Sequence, residues 1–337
     1  MSTTAIDVNQ GQTREHEGLA LRMACLPASV VGLYFLARPW PADTWAVYVL
    51  WTCFTAYSMF CWTNCFHETG HQMLTRWRWL DLVIGRLLGT LMFLPYTVYR
   101  EAHIRHHASM NRPNDWELWP YVSPKCFRTF RRVFVFFDIL FGFIVTPFIF
   151  SRIFFHADSP LMKPAMRRTI WFEYLGIVLF WGFVGGGLTY AGAWPALVTV
   201  WLVPHMIAGV MQTIRRLTEH LGMGSYEPLF GTRTVIGGNW ITRLSSYVNF
   251  DIFMHGLHHR HPRLERDRLQ EKMEDYIRKN PEVNYPVYSR YWQAMMAMLP
   301  CLLRNPGIGV NAGAAPLSQA PNPDFTSFPA EVVGDVS

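Results

Sequence analysis

The stretch His67-Glu68-Thr69-Gly70-His71 decides how the rest of this chain is organised. Its two histidines are four residues apart, so on a helix they lie on one face, one turn from each other. Imidazole is the commonest metal ligand in proteins, and this spacing lets two side chains converge on one ion. The stretch therefore predicts a metal site at the end of a helix.

Two further clusters repeat this type of spacing downstream. They are His103-Ile104-Arg105-His106-His107 and His255-Gly256-Leu257-His258-His259, with His220 alone between them. The four places hold nine of the 13 histidines. Nine imidazoles exceed the roughly four to six ligands that one ion takes, so the pattern favours two metal ions. Surface histidines or a metal-scavenging tract are the alternative, and three spaced clusters argue against it.

The composition indicates a membrane protein. Half of the residues (50%) are hydrophobic and 16% are charged, whereas about a quarter are charged in soluble proteins. The net charge is +6, but no basic patch with stacking aromatics accompanies it, so no nucleic acid partner is predicted. The six cysteines form no C-x-x-C pair, which excludes a disulfide framework or thiolate metal site as the organising feature.

Four apolar runs are predicted to cross a bilayer as two hairpins. Residues 19–37 pair with 44–65, and residues 169–192 pair with 194–211. A crossing helix needs about 20 mostly apolar residues, which these runs approach or reach. The fold class is therefore an all-α integral membrane protein with four transmembrane helices.

Two other apolar segments are predicted not to be single membrane crossings. Residues 80–98 lie between two histidine clusters that serve one metal centre, so this segment must dip and return or lie in the interface. Residues 133–155 contain Asp138 and Pro147 and are predicted as a re-entrant or in-plane element, or a tight pair around Pro147. The clusters themselves would form a helical, metal-binding cytoplasmic cap.

Arginines concentrate in the same segments as the histidine clusters, which predicts that the metal site and both termini face the cytoplasm, at the inner membrane. Residues 1–18 lack a signal-peptide pattern and are predicted to be a cytoplasmic tail, followed by a membrane domain over 19–306. Residues 307–337 are rich in Pro, Ala, Gly and Ser and are predicted to be disordered.

Two helices are predicted after the second hairpin. Residues 263–279 form an exposed helix with an apolar stripe, and 288–303 form a more apolar one that lies on the membrane surface or packs on the metal domain. The stripe comprises Leu264, Leu269, Met273, Tyr276 and Ile277.

In this order, the hairpins and histidine clusters resemble the membrane fatty acid desaturase superfamily, which also contains integral-membrane hydroxylases, alkane monooxygenases and carotenoid oxygenases. The likeness spans residues 19–306. It implies two iron ions, dioxygen as co-substrate, and a lipid acyl chain, alkane or carotenoid as the substrate. The implied iron ligands are His67, His71, His103, His106, His107, His220, His255, His258 and His259.

The resemblance leaves the reaction open between desaturation, which is favoured by the compact length, and hydroxylation. Thr218-Glu219-His220 is similar to the single-histidine site of the alkane monooxygenases. In some desaturases an asparagine four residues before that histidine holds a water on the metal. Arg216 stands at that position here, so this role is not carried over.

Several polar residues beside the clusters are candidates to orient the ligands through their N–H groups. They are Glu68, Asp115, Glu117, Asn249 and Asp251. His261 breaks the spacing and is predicted to be a supporting or exposed residue, and His205 is predicted to be buried in a membrane run or to line a cavity.

The main rival from another class is a membrane zinc peptidase, because His67-Glu68-x-x-His71 is a literal H-E-x-x-H motif with the glutamate as general base. It explains two of the nine histidines. A non-enzymatic metal carrier or structural membrane protein is a third alternative. The sequence shows no haem, iron–sulfur or nucleotide motif, so a separate ferredoxin-like or haem protein is predicted to donate electrons to the basic face.

Overall fold

The computed structural model describes residues 45–315, except 263 and 265. The predicted tail 1–18, the predicted helix 19–37 and residues 316–337 lie outside the described residues. The first predicted hairpin is therefore represented by its second helix alone.

The described part is mostly helical. Its helices are α1 Trp45–His71, α2 Arg78–Leu91, α3 Tyr96–Ala108, α4 Arg128–Leu140, α5 Gly142–Phe155, α6 Pro164–Ala191, α7 Trp194–His220, α8 Pro228–Gly231, α9 Trp240–Val248, α10 His255–Arg260, α11 Arg266–Lys279 and α12 Tyr291–Arg304. Two short strands, β1 Thr234–Val235 and β2 Val287–Tyr288, pair in parallel, so the prediction of an all-α fold misses one small ladder.

Two of these helices, α6 and α7, are long and apolar enough to span a membrane, and within the described residues the number rises to four if each of two bent helix pairs is one span. The predicted second hairpin is thus present: α6 ends at Ala191 and is capped by Gly192, whose φ of +59° suits a glycine, and α7 begins at Trp194. The helix predicted over 44–65 is also present as α1, with 27 residues. α1 is less apolar than the two candidate spans α6 and α7, because its many hydroxyl, indole and phenol side chains lower its mean hydropathy.

The segment predicted to dip and return is a bent pair of helices. The axes of α2 and α3 meet at 105°. Gly89 makes this bend possible, because a Cβ at that position would collide with the carbonyl oxygen of Leu94. The chain therefore enters α3 directly after leaving α2, and the second histidine cluster follows on α3.

The segment 133–155 is also a bent pair, α4 and α5, with an angle of 119°. The break lies at Phe141, not at the predicted Pro147, which is inside α5. Gly142, the first residue of α5, packs against Gly209 of α7 so closely that neither position has room for a Cβ. The two glycines are 67 residues apart in the sequence. Their contact determines where the helix pair bends, and no local sequence pattern predicts that position.

α1 packs along α7, and α5 packs against α7 on another side, so the helices that carry the first histidine cluster and His220 are neighbours. The largest group of buried hydrophobic residues includes Phe66, Tyr99, Phe150 and Leu217, contributed by α1, α3, α5 and α7. This core lies directly beside the histidine clusters and holds these helices together.

The chain after α7 closes the histidine side of the molecule. α11 forms as predicted and buries Leu269 and Met273, but Ile277 of the predicted stripe is exposed by 38%. α12 buries Met298 and Leu302 and exposes Trp292 and Met296, so it packs on the metal domain and still presents an apolar face. The predicted disordered tail begins too early, because residues 307–315 are ordered and Gly309–Ala312 form a 3-10 turn.

Candidate metal centre

Four helices bring nine histidines into two adjacent groups. The five-histidine group consists of His67 and His71 from α1, His103 and His107 from α3, and His258 from α10. The four-histidine group consists of His106 from α3, His220 from α7, and His255 and His259 from α10. In each group, one ligand nitrogen per residue lies within 4.8 Å of all the others.

The helical spacing explains how one short stretch feeds both groups. His103 and His107 are one turn apart on α3 and point into the five-histidine group, whereas His106 is turned away from them into the four-histidine group. α10 repeats this division, with His258 in one group and His255 and His259 in the other. The two groups meet where the rings of His107 and His259 stack at 4.1 Å.

Carboxylates hold three of the histidines through their Nδ1 atoms. Glu68 Oε1 lies 3.0 Å from His67, Glu117 Oε2 lies 3.0 Å from His103, and Asp115 Oδ2 lies 2.8 Å from His106. A carboxylate that accepts from Nδ1–H fixes the tautomer and leaves Nε2 with a lone pair. Glu68, Asp115 and Glu117, which were predicted to lie beside the histidines, each contact one histidine Nδ1.

Burial and neighbouring charges shift the pKa values of groups at this site. Burial alone raises the pKa of Glu117, but the neighbouring His103 and His106 outweigh burial and lower the pKa to about 2, so it is a carboxylate at neutral pH. Burial and then the charge of Arg215 lower the pKa of His255 well below its ordinary value. A histidine that stays neutral has the lone pair that metal coordination requires.

Asn249 and Asp251, the other residues predicted to orient the ligands, bond to polar groups of α9 and α1. The Asn249 amide accepts from Asn64 at 2.7 Å and donates to Tyr57 and to the Ser245 carbonyl, so it ties α9 to α1. Asp251 accepts from the Ser246 hydroxyl at 2.9 Å.

Three described histidines lie outside both groups, namely His156, His205 and His261. His261 lies 3.2 Å from the Tyr276 hydroxyl on α11. His205 is half-buried in α7 and stacks on Trp201, with ring centroids 5.5 Å apart.

Two residues that contact the histidines were not predicted to do so. Asn111 Oδ1 lies 3.3 Å from His220 Nδ1, across 109 positions of sequence. Glu219 Oε2 lies 3.5 Å from His255 Nε2 and accepts from Arg215 at 2.8 Å. A local sequence signal exists for the backbone of Asn111 but not for its contact with His220. Asparagine tolerates the left-handed backbone conformation that it adopts here, with φ of +61°. Arg216, the residue at the asparagine position, donates to Asp138 at 2.7 Å.

The histidines fit metal ions by geometry. Facing Nε2 atoms are 3.1 Å apart for His71 and His103, 2.8 Å for His220 and His255, and 3.0 Å for His255 and His259. Adjacent imidazole nitrogens that each lie about 2.1 Å from one ion would be about 3 Å apart. His67 Nε2 is buried and has no hydrogen-bond partner among the described residues, as expected for a ligand atom. Imidazole-rich donor sets of this kind suit iron.

A cavity of about 60 Å³ reaches both groups. His67 and His103 line it from one group, and His106, His220 and His255 line it from the other. Tyr99, Leu118 and Phe150 form its apolar wall, while Glu117, Arg215, Arg216 and Glu219 form its polar wall. Such a volume holds a few water-sized molecules beside both candidate metal positions.

The fatty acid desaturase family model matches residues 43–292, which is most of the chain and includes every histidine of both groups. The chain belongs to the fatty acid desaturase family. Together with the apolar helices, this makes it a membrane protein whose histidine groups can hold metal ions.

Curated relatives carry desaturase names. The chain is 28% identical over 152 residues to an sn-1 acyl-lipid omega-3 desaturase (ferredoxin) of Nostoc sp. (strain 36), covering 42% of this chain and 41% of that protein. It is 24% identical over 249 residues to a chloroplastic omega-3 fatty acid desaturase of Glycine max, covering 67% and 52%. A second sn-1 acyl-lipid omega-3 desaturase (ferredoxin), from Synechocystis sp., is 24% identical over 200 residues, covering 57% and 54%. The matches span about half of each of these relatives.

Proposed function

We propose that this chain is an oxygen-dependent diiron oxidoreductase that introduces double bonds into the fatty acyl chains of membrane lipids. The observation that carries the proposal is the pair of buried histidine groups that share one cavity. Family membership and the names of the relatives support the same reaction class.

The proposed roles of the protein residues follow from the contacts. The five-histidine group and the four-histidine group would each hold one iron, and bound iron would supply the oxidising power that breaks an unactivated C–H bond with dioxygen. Glu68, Asp115 and Glu117 keep the Nδ1 protons of their histidines in place, so that Nε2 faces the metal position. Tyr99, Leu118 and Phe150 exclude bulk water from the cavity.

The substrate would reach this cavity from the bilayer. The observed volume of about 60 Å³ is too small for an acyl chain, so side chains of the apolar wall must move aside when it enters. Phe150, on α5 of the second bent helix pair, is one of the side chains that would have to move.

The membrane arrangement belongs to the same proposal. The cluster that precedes α2 and the cluster at the end of α3 supply one histidine group, so this pair would begin and end on one side of the bilayer. His106 and His220 share the other group, so the α6–α7 hairpin also returns to that side. Together with the helix predicted over 19–37, we propose four crossings. The distribution of arginines supports a cytoplasmic position for the histidines at the inner membrane.

A separate protein would deliver the electrons. Two relatives carry "ferredoxin" in their names. A ferredoxin-like or haem protein that docks on the basic cytoplasmic face would therefore complete the reaction, which consumes two electrons and one dioxygen per double bond.

Hydroxylation is the second candidate, and one observation favours it. Glu219 places a carboxylate oxygen 3.5 Å from His255 Nε2 at the cavity, within the stretch that is similar to the alkane monooxygenases. The zinc peptidase has less support, because such a site uses about three protein ligands and the groups here contain five and four histidines.

Lipid mass spectrometry after expression in a host that lacks the activity, with reductant proteins supplied, tests the proposed reaction. Desaturation predicts acyl chains that have lost two hydrogens, and the variant His106→Ala should abolish this product. His156→Ala is the matched control, since His156 lies outside both groups. Acyl chains that gain one oxygen would contradict desaturation and support hydroxylation. Unchanged lipids would contradict both proposals.

A further inference from the structure

The residues after α12 run back across the histidine side of the molecule as a C-terminal strap, residues 305–314. Gly307 O accepts from Gly222 N at 2.8 Å, and Gly309 N donates to Met223 O at 2.9 Å. On its other side the strap is bonded to the loop after α3, because Ile308 N and Asn311 Nδ2 both donate to Tyr121 O. The strap therefore joins the segment after His220 to the segment after the second histidine cluster.

Asn111 lies beneath this strap and touches the four-histidine group. It is fully buried, and its side-chain oxygen lies 3.3 Å from His220 Nδ1. Its Nδ2 donates to the carbonyls of Ser225 and Gly231 at 2.8 and 2.7 Å. Because both amide donors are occupied, the oxygen has to point toward His220.

The backbone of Asn111 reaches a second histidine of the same group. Its N–H donates at 3.2 Å to Asp115 Oδ2, which also lies 2.8 Å from His106 Nδ1. One residue is thus linked to two of the four ligands, His220 directly and His106 through Asp115. Within the part of the chain that the structure describes, Asn111 makes no hydrogen bond to the five-histidine group.

Gly309 lets the backbone of the strap pack closely against the backbone of Asn111. It has φ of +59°, and a Cβ built on it would overlap the carbonyl oxygen of Asn111. Any other residue at 309 would therefore either strain the strap or displace Asn111. The strap and Asn111 form one continuous packing unit that ends at His220.

We propose that Asn111 is a positioning residue for the four-histidine group alone and that the C-terminal strap holds Asn111 in place. The proposal rests on the proposed function, since it assumes that this group binds metal. Loss of a hydrogen-bonding partner behind a metal ligand typically weakens metal affinity about 10–100-fold. One of two metal sites should therefore weaken by that factor, while the other keeps its affinity.

The test is anaerobic titration of the purified, chelator-treated full chain with Co²⁺, which reports occupancy of each site without turnover. Asn111→Gly removes the amide and suits the left-handed backbone, so it adds no strain. Gly309→Ala pushes on Asn111 from the strap. Gly313→Ala is the matched control, because Gly313 also has positive φ, +97°, but no atom lies near its Cβ position.

The expected result is two Co²⁺ sites in the wild type and in Gly313→Ala, and one site weakened about 10–100-fold in Asn111→Gly and Gly309→Ala. Two unchanged sites in Asn111→Gly would overturn the inference alone. Equal weakening of both sites, with a lower unfolding temperature, would also overturn it, because the role would then be general packing. A wild type that binds fewer than two Co²⁺ ions would overturn the proposed function as well.

Discussion

At the scale of single residues, the carboxylates beside His67, His103 and His106 matter because they decide which nitrogen of these histidines carries the proton. Glu117 lies 3.0 Å from His103 Nδ1 and keeps its negative charge because its pKa is lowered to about 2. A fixed negative charge behind an imidazole makes the opposite nitrogen a better donor to a cation. We therefore predict that metal binding by the five-histidine group depends on Glu117, which is not one of the candidate ligands.

Glu117→Gln tests this dependence. The amide keeps the size of the side chain but removes the charge, so the affinity of one metal site should fall about 10–100-fold. Anaerobic metal titration of the purified protein measures the loss. Asp158→Asn, a similar change at a side chain that is 87% exposed, is the control and should leave both affinities unchanged. Wild-type affinity in Glu117→Gln would mean that His103 needs no carboxylate.

The sequence predicts these local partnerships well and the distant ones poorly. Glu68, Asp115 and Glu117 lie within 14 positions of the histidines that they contact, so proximity in sequence already makes them candidates. Asn111 meets His220 across 109 positions, and that contact depends on how the loop after α3 folds under α7. Residue types and spacing therefore predict the histidines, while tertiary packing determines several of their partners.

At the scale of helices, α3 begins with a cap supplied by another helix. Its own N-cap residue, Pro95, makes no side-chain hydrogen bond. Instead, Glu173 of α6 accepts from Thr97 N and Thr97 Oγ1, both at 2.8 Å, and from Arg86 Nε at 3.0 Å. A carboxylate at a helix N-terminus satisfies free N–H groups and interacts favourably with the helix dipole. Glu173 thus connects α6, α2 and the helix that carries His103, His106 and His107.

Glu173→Ala should lower the free energy of unfolding by about 0.5–2 kcal/mol, the usual cost of losing an N-cap. Glu173→Gln retains an acceptor and should recover part of the loss. Thermal unfolding in detergent measures both variants. Glu271→Ala, at an exposed position of α11, controls for removing a carboxylate. Equal unfolding temperatures for the wild type and Glu173→Ala would show that the cap contributes nothing.

The helices themselves are largely predictable because apolar runs of this length are a strong signal. The second hairpin has the predicted turn, and α1 and the two bent pairs correspond to predicted segments. The bend at Phe141 is different, because the close approach of Gly142 and Gly209 decides it and Pro147 does not. The ordered strap was also missed, since its order comes from backbone hydrogen bonds to Tyr121 and Met223 and not from its composition.

At the scale of the whole molecule, the histidine groups constrain how the chain passes through the bilayer. Ligands of one metal centre cannot lie on opposite sides of a membrane. Residues on the histidine side should therefore share one face, and the α6–α7 turn should lie on the other. The two histidine groups draw on α1, α3, α7 and α10, so this constraint applies along the chain from residue 67 to residue 259.

Single cysteines introduced into a cysteine-free chain test the arrangement. Lys125→Cys and Glu282→Cys, at exposed positions on the histidine side, should react with a membrane-impermeant thiol reagent only when the cytoplasmic face is open. Ala191→Cys, at the exposed end of α6, should react from outside in intact cells. Labelling of Lys125→Cys and Glu282→Cys from opposite faces would refute the proposed crossings.

The central claim is that each histidine group holds one iron, and the most direct measurement is the iron content per chain after anaerobic reconstitution. The wild type and His156→Ala should bind two irons per chain. His258→Ala removes a ligand of the five-histidine group and His106→Ala one of the four-histidine group, so each should bind one. A wild type that binds a single zinc ion, or variants that both retain two irons, would contradict the assignment.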